Sequence, residues 1–365
     1  MKPSVTALGK NMVMTTSTIL PNLVTQNNCA TIMLSNERPE THYIDGVELI
    51  AVQIPEGCFP VLDNKNCLWP VRQAVAPVAA IDDQGKKIVN VLHNKDQKYW
   101  ECDVTDILFE NGFTSYIELA FPKPAGKTKG LLIVDAINTE ISNIFFQQIF
   151  GFLGDECLSF LQMVEDNPEW AAILQQWLQK CALTAEIETP DGWQSIGSIL
   201  PEANVVPFSR AVEFALPENS PDRIRIRLTS MADVWKLDAV SISWDTMNPV
   251  KPDQMTHLRP IGAFPEKISR VDETYLTMFP GESVTLSFAT ITQPDQQMCY
   301  IASVRGYLHE WLFAPTQETT LTQMGQHMNG FNKTDFLKTV LASNNNVLLF
   351  PVYTAWLAQK NTVSK

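Results

Sequence analysis

Arg223-Ile-Arg-Ile-Arg-Leu228 alternates cation with aliphatic, passes through Thr-Ser-Met-Ala-Asp, and continues as Val234-Trp-Lys-Leu-Asp-Ala-Val-Ser-Ile-Ser-Trp244. Successive side chains of a strand point to opposite faces, so this stretch reads as strand, short polar turn and strand, each with one wet and one buried face. The design recurs near the N-terminus, where Ala30-Thr-Ile-Met-Leu34 leads through Ser-Asn-Glu-Arg-Pro-Glu to Tyr43-Ile-Asp-Gly-Val-Glu-Leu-Ile50. A strand pair used twice organises the chain.

The flanking β regions also match. Ile44-Asp45-x-Val47 pairs with Leu237-Asp238-x-Val240, and Val75-Ala-Pro77-Val with Leu258-Arg-Pro260-Ile. Asp96-x-x-Tyr99 pairs with Asp272-x-x-Tyr275, Ile117-Glu-Leu-Ala-Phe121 with Val284-Thr-Leu-Ser-Phe288, and Leu132-Ile-Val-Asp with Tyr300-Ile-Ala-Ser. Five matches in the same order point to an internal duplication of one β unit. An Asp flanked by apolar residues is costly in a strand unless its carboxylate is hydrogen-bonded. Asp45 and Asp238 are therefore expected to face solvent or to accept backbone N–H bonds at a loop end.

The fold class that follows is mainly β: two jelly-roll-like β-sandwich units from an internal duplication, with a helical insert and a mixed C-terminal tail. The division is a lead-in over 1–29, a first β-sandwich over 30–138, a helical insert over 139–181, a second β-sandwich over 182–312 and a mixed tail over 313–365. In the insert, Ile141, Ile144, Phe145, Ile149 and Phe152 fit one helical face. Asn167 and Pro168 make an N-cap and first helical position, ahead of a stripe from Trp170 and Ile173 through Leu174, Trp177 and Leu178 to Cys181. Leu183-Thr-Ala-Glu-Ile-Glu, Pro190-Asp-Gly192 and Trp193-Gln-Ser-Ile-Gly-Ser-Ile199 read as a hairpin. The tail reads as helices at 317–329 and 334–342 and a strand-like Val347-Leu-Leu-Phe350, expected to cover a sheet edge.

The extended strand, short polar loop, aromatic and strand with Asp-x-Val resemble the galactose-binding-like jelly roll. A longer series carries a closer resemblance: Thr41-His-Tyr-Ile-Asp-Gly-Val-Glu-Leu, Tyr99-Trp-Glu-Cys-Asp, Ile117-Glu-Leu-Ala-Phe-Pro-Lys-Pro, Trp235-Lys-Leu-Asp-Ala-Val, Pro280-Gly-Glu-x-Val-Thr-Leu-x-Phe and Arg305-Gly-Tyr-Leu-His-Glu-Trp311. It resembles, over about residues 30–312, the C-terminal β-rich module of large bacterial tetratricopeptide or FG-GAP (ASPIC-type) repeat proteins. That resemblance implies architecture and carries no activity. The chain departs from the module in lacking the repeats and in the tail after Trp311.

Composition limits the partners. The 365 residues hold 40 acidic and 27 basic side chains, a net charge of −13, which disfavours sequence-independent binding to nucleic acid or anionic lipid. No apolar run is long enough to span a bilayer, and the N-terminal residues lack the apolar core of a secretory signal. The seven cysteines are scattered and never form C-x-x-C, which suits a reducing, cytoplasmic setting, with export by a route needing no N-terminal signal left open. Cys58 and Cys67 are the pair close enough in sequence to consider for a bridge. Burial as small hydrophobes is the preferred reading of all seven.

No catalytic residue, metal site or cofactor is assigned. The five histidines stand outside H-E-x-x-H spacing, and G-x-S-x-G, Walker-type and dinucleotide-binding loops are missing from the sequence. Asp82-Asp83, Asp106 with Glu110, and Asp155-Glu156 are carboxylate pairs of the kind expected by chance in a chain this acidic, and sequence spacing does not give the distance across a cleft that a glycosidase needs. The densest polar–aromatic cluster is Tyr307, His309, Glu310 and Trp311, where a strand leaves its sheet; Trp235 opens a strand at a loop end. These five form the expected ligand-binding set. The functional expectation is a non-catalytic binding or scaffold protein recognising a protein surface or a carbohydrate through sandwich-end loops. The alternative is a hydrolase of glycosidase or esterase type with its site between the sandwiches.

Overall fold

A computed structural model describes residues 13–102, 112–202, 206–262, 268, 270–290, 297–311, 320–328, 330–342 and 348–363. Strand exceeds helix, 45% against 22%, so the chain is mainly β. The first ten strands are β1 (Met14–Ile19), β2 (Thr25–Gln26), β3 (Cys29–Ser35), β4 (Glu40–Ile54), β5 (Phe59–Asp63), β6 (Leu68–Val71), β7 (Ala79–Asp82), β8 (Trp100–Glu101), β9 (Thr114–Pro122) and β10 (Lys129–Asn138). Helices α1 (Ile141–Leu153), α2 (Cys157–Asp166) and α3 (Pro168–Lys180) follow. The chain then returns to strands β11 (Leu183–Thr189), β12 (Gly192–Ile199), β13 (Phe208–Ala215), β14 (Arg223–Met231), β15 (Trp235–Ser243), β16 (Thr256–Leu258), β17 (Pro260–Ile261), β18 (Leu276–Met278), β19 (Ser283–Ala289) and β20 (Gln297–Glu310). Helices α4 (Thr320–His327), α5 (Lys333–Ala342) and α6 (Leu349–Val363) end it. None of the described helices is long and apolar enough to cross a membrane.

Four sheets form two layered pairs. In one pair, β1-β20-β4-β16, with β18 also on β4, faces β17-β19-β3-β2. Ala30, Leu34, Val47, Leu49, Leu286, Phe288 and Val304 fill the space between them. In the other pair, β6-β5-β13-β10-β15-β8 faces β12-β11-β14-β9-β7. Ile224, Ile226 and Leu228, the aliphatic members of the alternating run, meet Ile117, Leu119 and Phe121 of β9 and Leu237, Val240 and Ile242 of β15. Each such side chain contributes about 1.5–3 kcal/mol of burial, and a one-residue slip would turn the whole set outward.

The two sandwiches are built alike, and their strand pairing shows how the duplication closes. β4 corresponds to β15, β20 to β10, β19 to β9, β3 to β14, β18 to β8 and β1 to β13, because each pair has the same neighbours in the same antiparallel sense. Leu258 lies across from Leu49 just as Val75 lies across from Ile242, each four residues beyond its strand's Asp. The closure is crosswise. The first half of the earlier repeat (β1–β4) joins the second half of the later one (β16–β20), while β13–β15 join β7–β10. This corrects the division at 30–138 and 182–312, since neither stretch closes a sandwich from its own strands. The reason is chemical equivalence: duplicated halves present matching edges, so the sequence specifies which kind of half pairs but not which copy. Two connecting stretches cross between the sandwiches and bond to each other, Leu68 N–H to Val250 O at 2.9 Å and Val250 N–H to Leu68 O at 2.8 Å.

Asp45 and Asp238 occupy the same structural position. In each sandwich the ladder skips at a bulge: Arg305/Gly306 against Gly46/Ile44, and Asp135/Ala136 against Ala239/Leu237. The Asp is the extra residue in both. Asp45 Oδ1 accepts the N–H groups of Asp272 (3.2 Å) and Glu273 (2.9 Å). Asp238 Oδ1 accepts those of Asp96 (3.1 Å) and Gln97 (2.9 Å). Asp272 and Asp96 in turn accept the N–H two residues on, from Thr274 and Lys98. Burial and then the neighbouring Asp carboxylate push the Tyr275 and Tyr99 hydroxyls up in parallel. The loop-end role expected for both aspartates is the observed one. Of the five sequence matches, the last is out of register: with the bulges aligned, Asp135 corresponds to Arg305, two residues beyond Ser303. Both strands are apolar on alternate residues, so a shift of two keeps the pattern intact.

The helices extend the repeat. α1–α3 follow β10 and α4–α6 follow β20, and α1 packs against α4 and α6 while α3 packs against α5. Ile141, Ile144, Phe145, Ile149 and Phe152 are buried as their spacing predicts, and Asn167 Oδ1 accepts the Glu169 N–H at 3.0 Å ahead of α3. Leu349 and Phe350 begin a helix, where a strand was expected; Pro351 sits in its first turn, where proline is tolerated. Residues 317–319, 329 and 347 of those readings lie outside the described residues. The tail covers the β14–β15 turn and the insert helices. Tyr353 OH donates to Ala232 O at 2.6 Å and its ring stacks on Phe113 at 4.7 Å.

Asp238→Ala should leave two backbone N–H groups without their charged acceptor, at a cost of about 3 kcal/mol. Asp45→Ala should cost a similar amount, read from urea unfolding midpoints. A loss under about 1 kcal/mol in either would show that the carboxylates do not hold these loops.

Candidate functional site

The expected ligand-binding residues do not form one site. Tyr307 and His309 meet Tyr43 and Tyr275 at the end of the β4–β20 ladder. Tyr43 stacks on Tyr307 at 4.7 Å, Tyr275 meets Tyr307 edge-on at 5.1 Å, and His309 lies 5.2 Å from Tyr43. Tyr307 is only 6% exposed. Beside them, His42 Nε2 is 2.6 Å from Glu40, with both side chains buried. Glu310 pairs through its backbone with Glu40. Trp311 is 46% exposed and donates Nε1–H to Thr41 Oγ1 at 3.0 Å. Trp235 lies in the other sandwich, 2% exposed, its Nε1–H bonded to Cys181 O at 2.8 Å. It is a core side chain, because the first residue of β15 points inward beneath the helices. The tyrosines are shared between this sandwich and the neighbouring core, so most of the corner is a joint.

The outer face of β12-β11-β14-β9-β7 has a different character. Its residues come from the wet side of the alternating strand: Arg225 and Arg227 on β14, Tyr116 and Glu118 on β9, Glu186 and Glu188 on β11, Trp193 on β12. Antiparallel register brings them into a lattice. Arg227 lies opposite both Glu118 and Glu186, and Glu188 lies opposite Trp193. The Arg227 guanidinium sits 4.1 Å from the Trp193 ring centroid and 4.9 Å from that of Tyr116, and Arg225 is 5.4 Å from Trp193. Arg225 bonds Glu118 and Glu188, the latter at 2.5 Å, and Arg227 reaches Glu118 at 3.2 Å. Arg225, Arg227 and Trp193 are each held by at least two neighbours and Tyr116 by Arg227, so the face is ordered before any partner arrives. Arg225 remains 42% exposed.

The duplication supplies an internal control. At the equivalent positions of the other sandwich stand Thr31 for Arg225, Met33 for Arg227, Ser283 for Tyr116 and Thr285 for Glu118, by the β19–β3 and β14–β9 registers. That sheet ends at β2, and β12 with its Trp193 has no counterpart among the described residues. The same fold is thus stable without the Arg–aromatic–Glu lattice. Sequence reading found the wet face of β14 but missed the lattice, because Trp193 and Tyr116 join it through pairing across four strands. The Pro190-Asp-Gly192 turn, which fixes the β12 register, was the one local signal.

Other titratable groups are structural. Asp233, at the β14–β15 turn, is buried and accepts Trp356 Nε1–H at 2.7 Å and Lys360 Nζ–H at 2.9 and 3.0 Å. Burial raises its pKa, tempered by the Trp356 and Lys360 bonds. Burial likewise raises Glu202, opposed by its ion pair with Arg210. Ser209 Oγ donates to Asp135 while Lys95 Nζ donates to both, at 2.8 and 2.5 Å. Lys95 is 57% exposed, and this trio pins the neighbouring strands β10 and β13. All seven cysteines are free, and burial pushes the Cys102, Cys181 and Cys299 thiols up to about 12, where they are protonated and inert. Among the described residues no group of three or more His, Cys, Asp or Glu could hold a metal ion. Asp106 and Glu110 lie outside the described residues.

A scan against protein-family models finds no match to this chain, and a search of the curated proteins finds no relative.

The Asp233 geometry sets a pH dependence. Its folded-state pKa is raised, so the folded protein binds this proton more tightly than the unfolded chain does. That contribution to stability is present below the ordinary carboxylate range and falls as pH rises through the raised value. Urea midpoints from pH 4 to 7 should show Asp233→Asn gaining on the wild type as pH rises, and Lys360→Met losing ground in the same direction. Parallel curves for all three proteins would contradict this assignment.

Proposed function

We propose that the protein is a non-catalytic recognition module that binds a protein partner through the outer face of β12-β11-β14-β9-β7. The observation that carries the reading is the difference between the two sandwiches. Four hydroxyl or thioether side chains serve the fold on one face, whereas Arg225, Arg227, Tyr116 and Glu118 stand on the other, joined there by Trp193. Fold stability does not require that set, so recognition is the reason that remains for it.

Trp, Tyr and Arg are the residue types that concentrate binding energy at protein interfaces. Side chains already locked by their neighbours lose little rotamer freedom on association. The charges on the lattice nearly balance, with Arg225 and Arg227 against Glu118, Glu186 and Glu188, which favours a partner surface of mixed sign over a polyanion. The jelly-roll reading of the sandwiches remains part of this proposal: duplicated scaffolds in which one copy keeps a plain face and the other acquires a binding one. The tyrosine corner around Tyr307 and His309 is then a joint that fixes the angle of the scaffold, and Trp311 is its exposed rim.

Affinity capture with three single variants tests this. Trp193→Ala and Arg225→Glu should each weaken retention of a captured protein at least tenfold, or about 1.4 kcal/mol. Met33→Glu, on the equivalent face, should leave retention unchanged. Equal retention by all three would refute the assigned face. Binding on a glycan array that Trp193→Ala abolishes, with no protein captured, would replace the protein partner by a carbohydrate.

A further inference from the structure

The crosswise closure has a consequence for assembly. Residues 14–54 carry β1–β4, and every strand outside this arm that pairs with it belongs to residues 256–310. β4 lies along β20 from Glu40 to Ile54, β1 lies along the other edge of β20, and β3 lies along β19. The arm nevertheless joins the rest of the chain at the opposite sandwich. The link is Pro55–Cys58, a four-residue turn closed by Cys58 N–H to Pro55 O at 3.2 Å, with Gly57 at φ 74°. Past that turn, β5 pairs with β13 of the other sandwich.

Half-sandwiches of this chain therefore already interchange between repeats. The arm lies on the second half of the later repeat, although the matching half of its own repeat, with Asp96-x-x-Tyr99 in place of Asp272-x-x-Tyr275, follows it directly in sequence. An exchange that preserves every strand pair and every buried side chain alters only the path of the linker and the entropy of association. This is why swapping identical elements is a low-cost route to dimers, and why short hinge loops favour it.

We infer that two copies of this chain exchange residues 14–54, so that the arm of one copy completes the β16–β20 half-sandwich of the other around the hinge at Pro55–Cys58. The partner is a second copy of the same chain. The surface it uses is the edge that β20, β19, β16 and β18 present when the arm is withdrawn. Beyond residues 256–310 the arm makes polar contacts at its end and edge, Arg38 with Glu140 at 3.2 Å and Ser17 O with Arg210 at 3.3 Å, and shares a buried cluster in which Ile50, Val52 and Ile54 join Leu62 and Leu68. In the exchanged form the other copy supplies these same partners.

Gln53 on β4 and Met298 on β20 are register partners, exposed and half-buried respectively. One full-length chain carries Gln53→Cys and a second carries Met298→Cys. They are mixed at high concentration, unfolded, refolded together and oxidised. A disulfide-linked heterodimer should form in this mixture and be missing when either variant is mixed with wild type, which controls for the native cysteines. Circular dichroism and thermal melting confirm that each variant refolds. Refolded chains without the linked heterodimer would overturn the inference. A dimer seen by light scattering without the linked species would overturn it too, since the copies would then associate through intact surfaces.

Discussion

One carboxylate in each sandwich, bound to two consecutive backbone N–H groups, ties its halves together. Asp45 belongs to the first half-sandwich of the earlier repeat, while the N–H groups it holds belong to Asp272 and Glu273, some 230 residues away in sequence. Asp238 does the same for Asp96 and Gln97. The second residue of each held pair has a positive φ, 63° for Glu273 and 65° for Gln97, a conformation that costs an L-residue about 1 kcal/mol. A charged acceptor reaching two donors offsets that cost, since hydrogen bonds to ionised groups are the strong ones. Each Asp also sits at the point where its own strand bulges, which turns its side chain out of the ladder and toward the loop. Local strain, bulge and carboxylate form one device, present twice.

Around this device the chain is written as two repeats, each with a first half-sandwich, a second half-sandwich and three helices, and the halves close across the repeats. The result has the organisation of a swapped dimer made within one chain. The helices fit that description, since the two sets pack on each other. Their asymmetry is local: α6 reaches back to Asp233 with Trp356 and Lys360, whereas the corresponding end of the other sandwich holds Glu40 against His42. Once two copies of a scaffold stand in one molecule, a face on one of them can change while the other keeps the fold. The Arg–aromatic–Glu lattice on β14 and its neighbours fits that freedom.

Much of this was legible in the sequence, for physical reasons that can be named. Period-two alternation in Arg223–Leu228 gave the strand and its buried side. The repeat matches set Asp45 beside Asp238 and Asp96-x-x-Tyr99 beside Asp272-x-x-Tyr275, and the cost of an unbonded Asp pointed to solvent or to loop-end N–H groups. That the second motif supplies those N–H groups took the structure. The crossing was not legible, since matching edges are chemically equivalent whichever copy offers them. Register between β10 and β20 slipped by two because a shift of two leaves an alternating strand looking the same. Trp235 and the Tyr307 corner carried the composition of a binding site, yet helices and a second sandwich cover most of them. Arg227 between Trp193 and Tyr116 needed the register of four strands, which no local pattern encodes.

Which loop each carboxylate holds is the point on which crosswise closure stands. Amide hydrogen exchange in the Asp45→Ala protein reads it directly. Protection should fall at Asp272 and Glu273 while Asp96 and Gln97 keep theirs. Loss of protection at Asp96 and Gln97 instead, with Asp272 and Glu273 unaffected, would mean that each repeat closes on itself and would contradict the account.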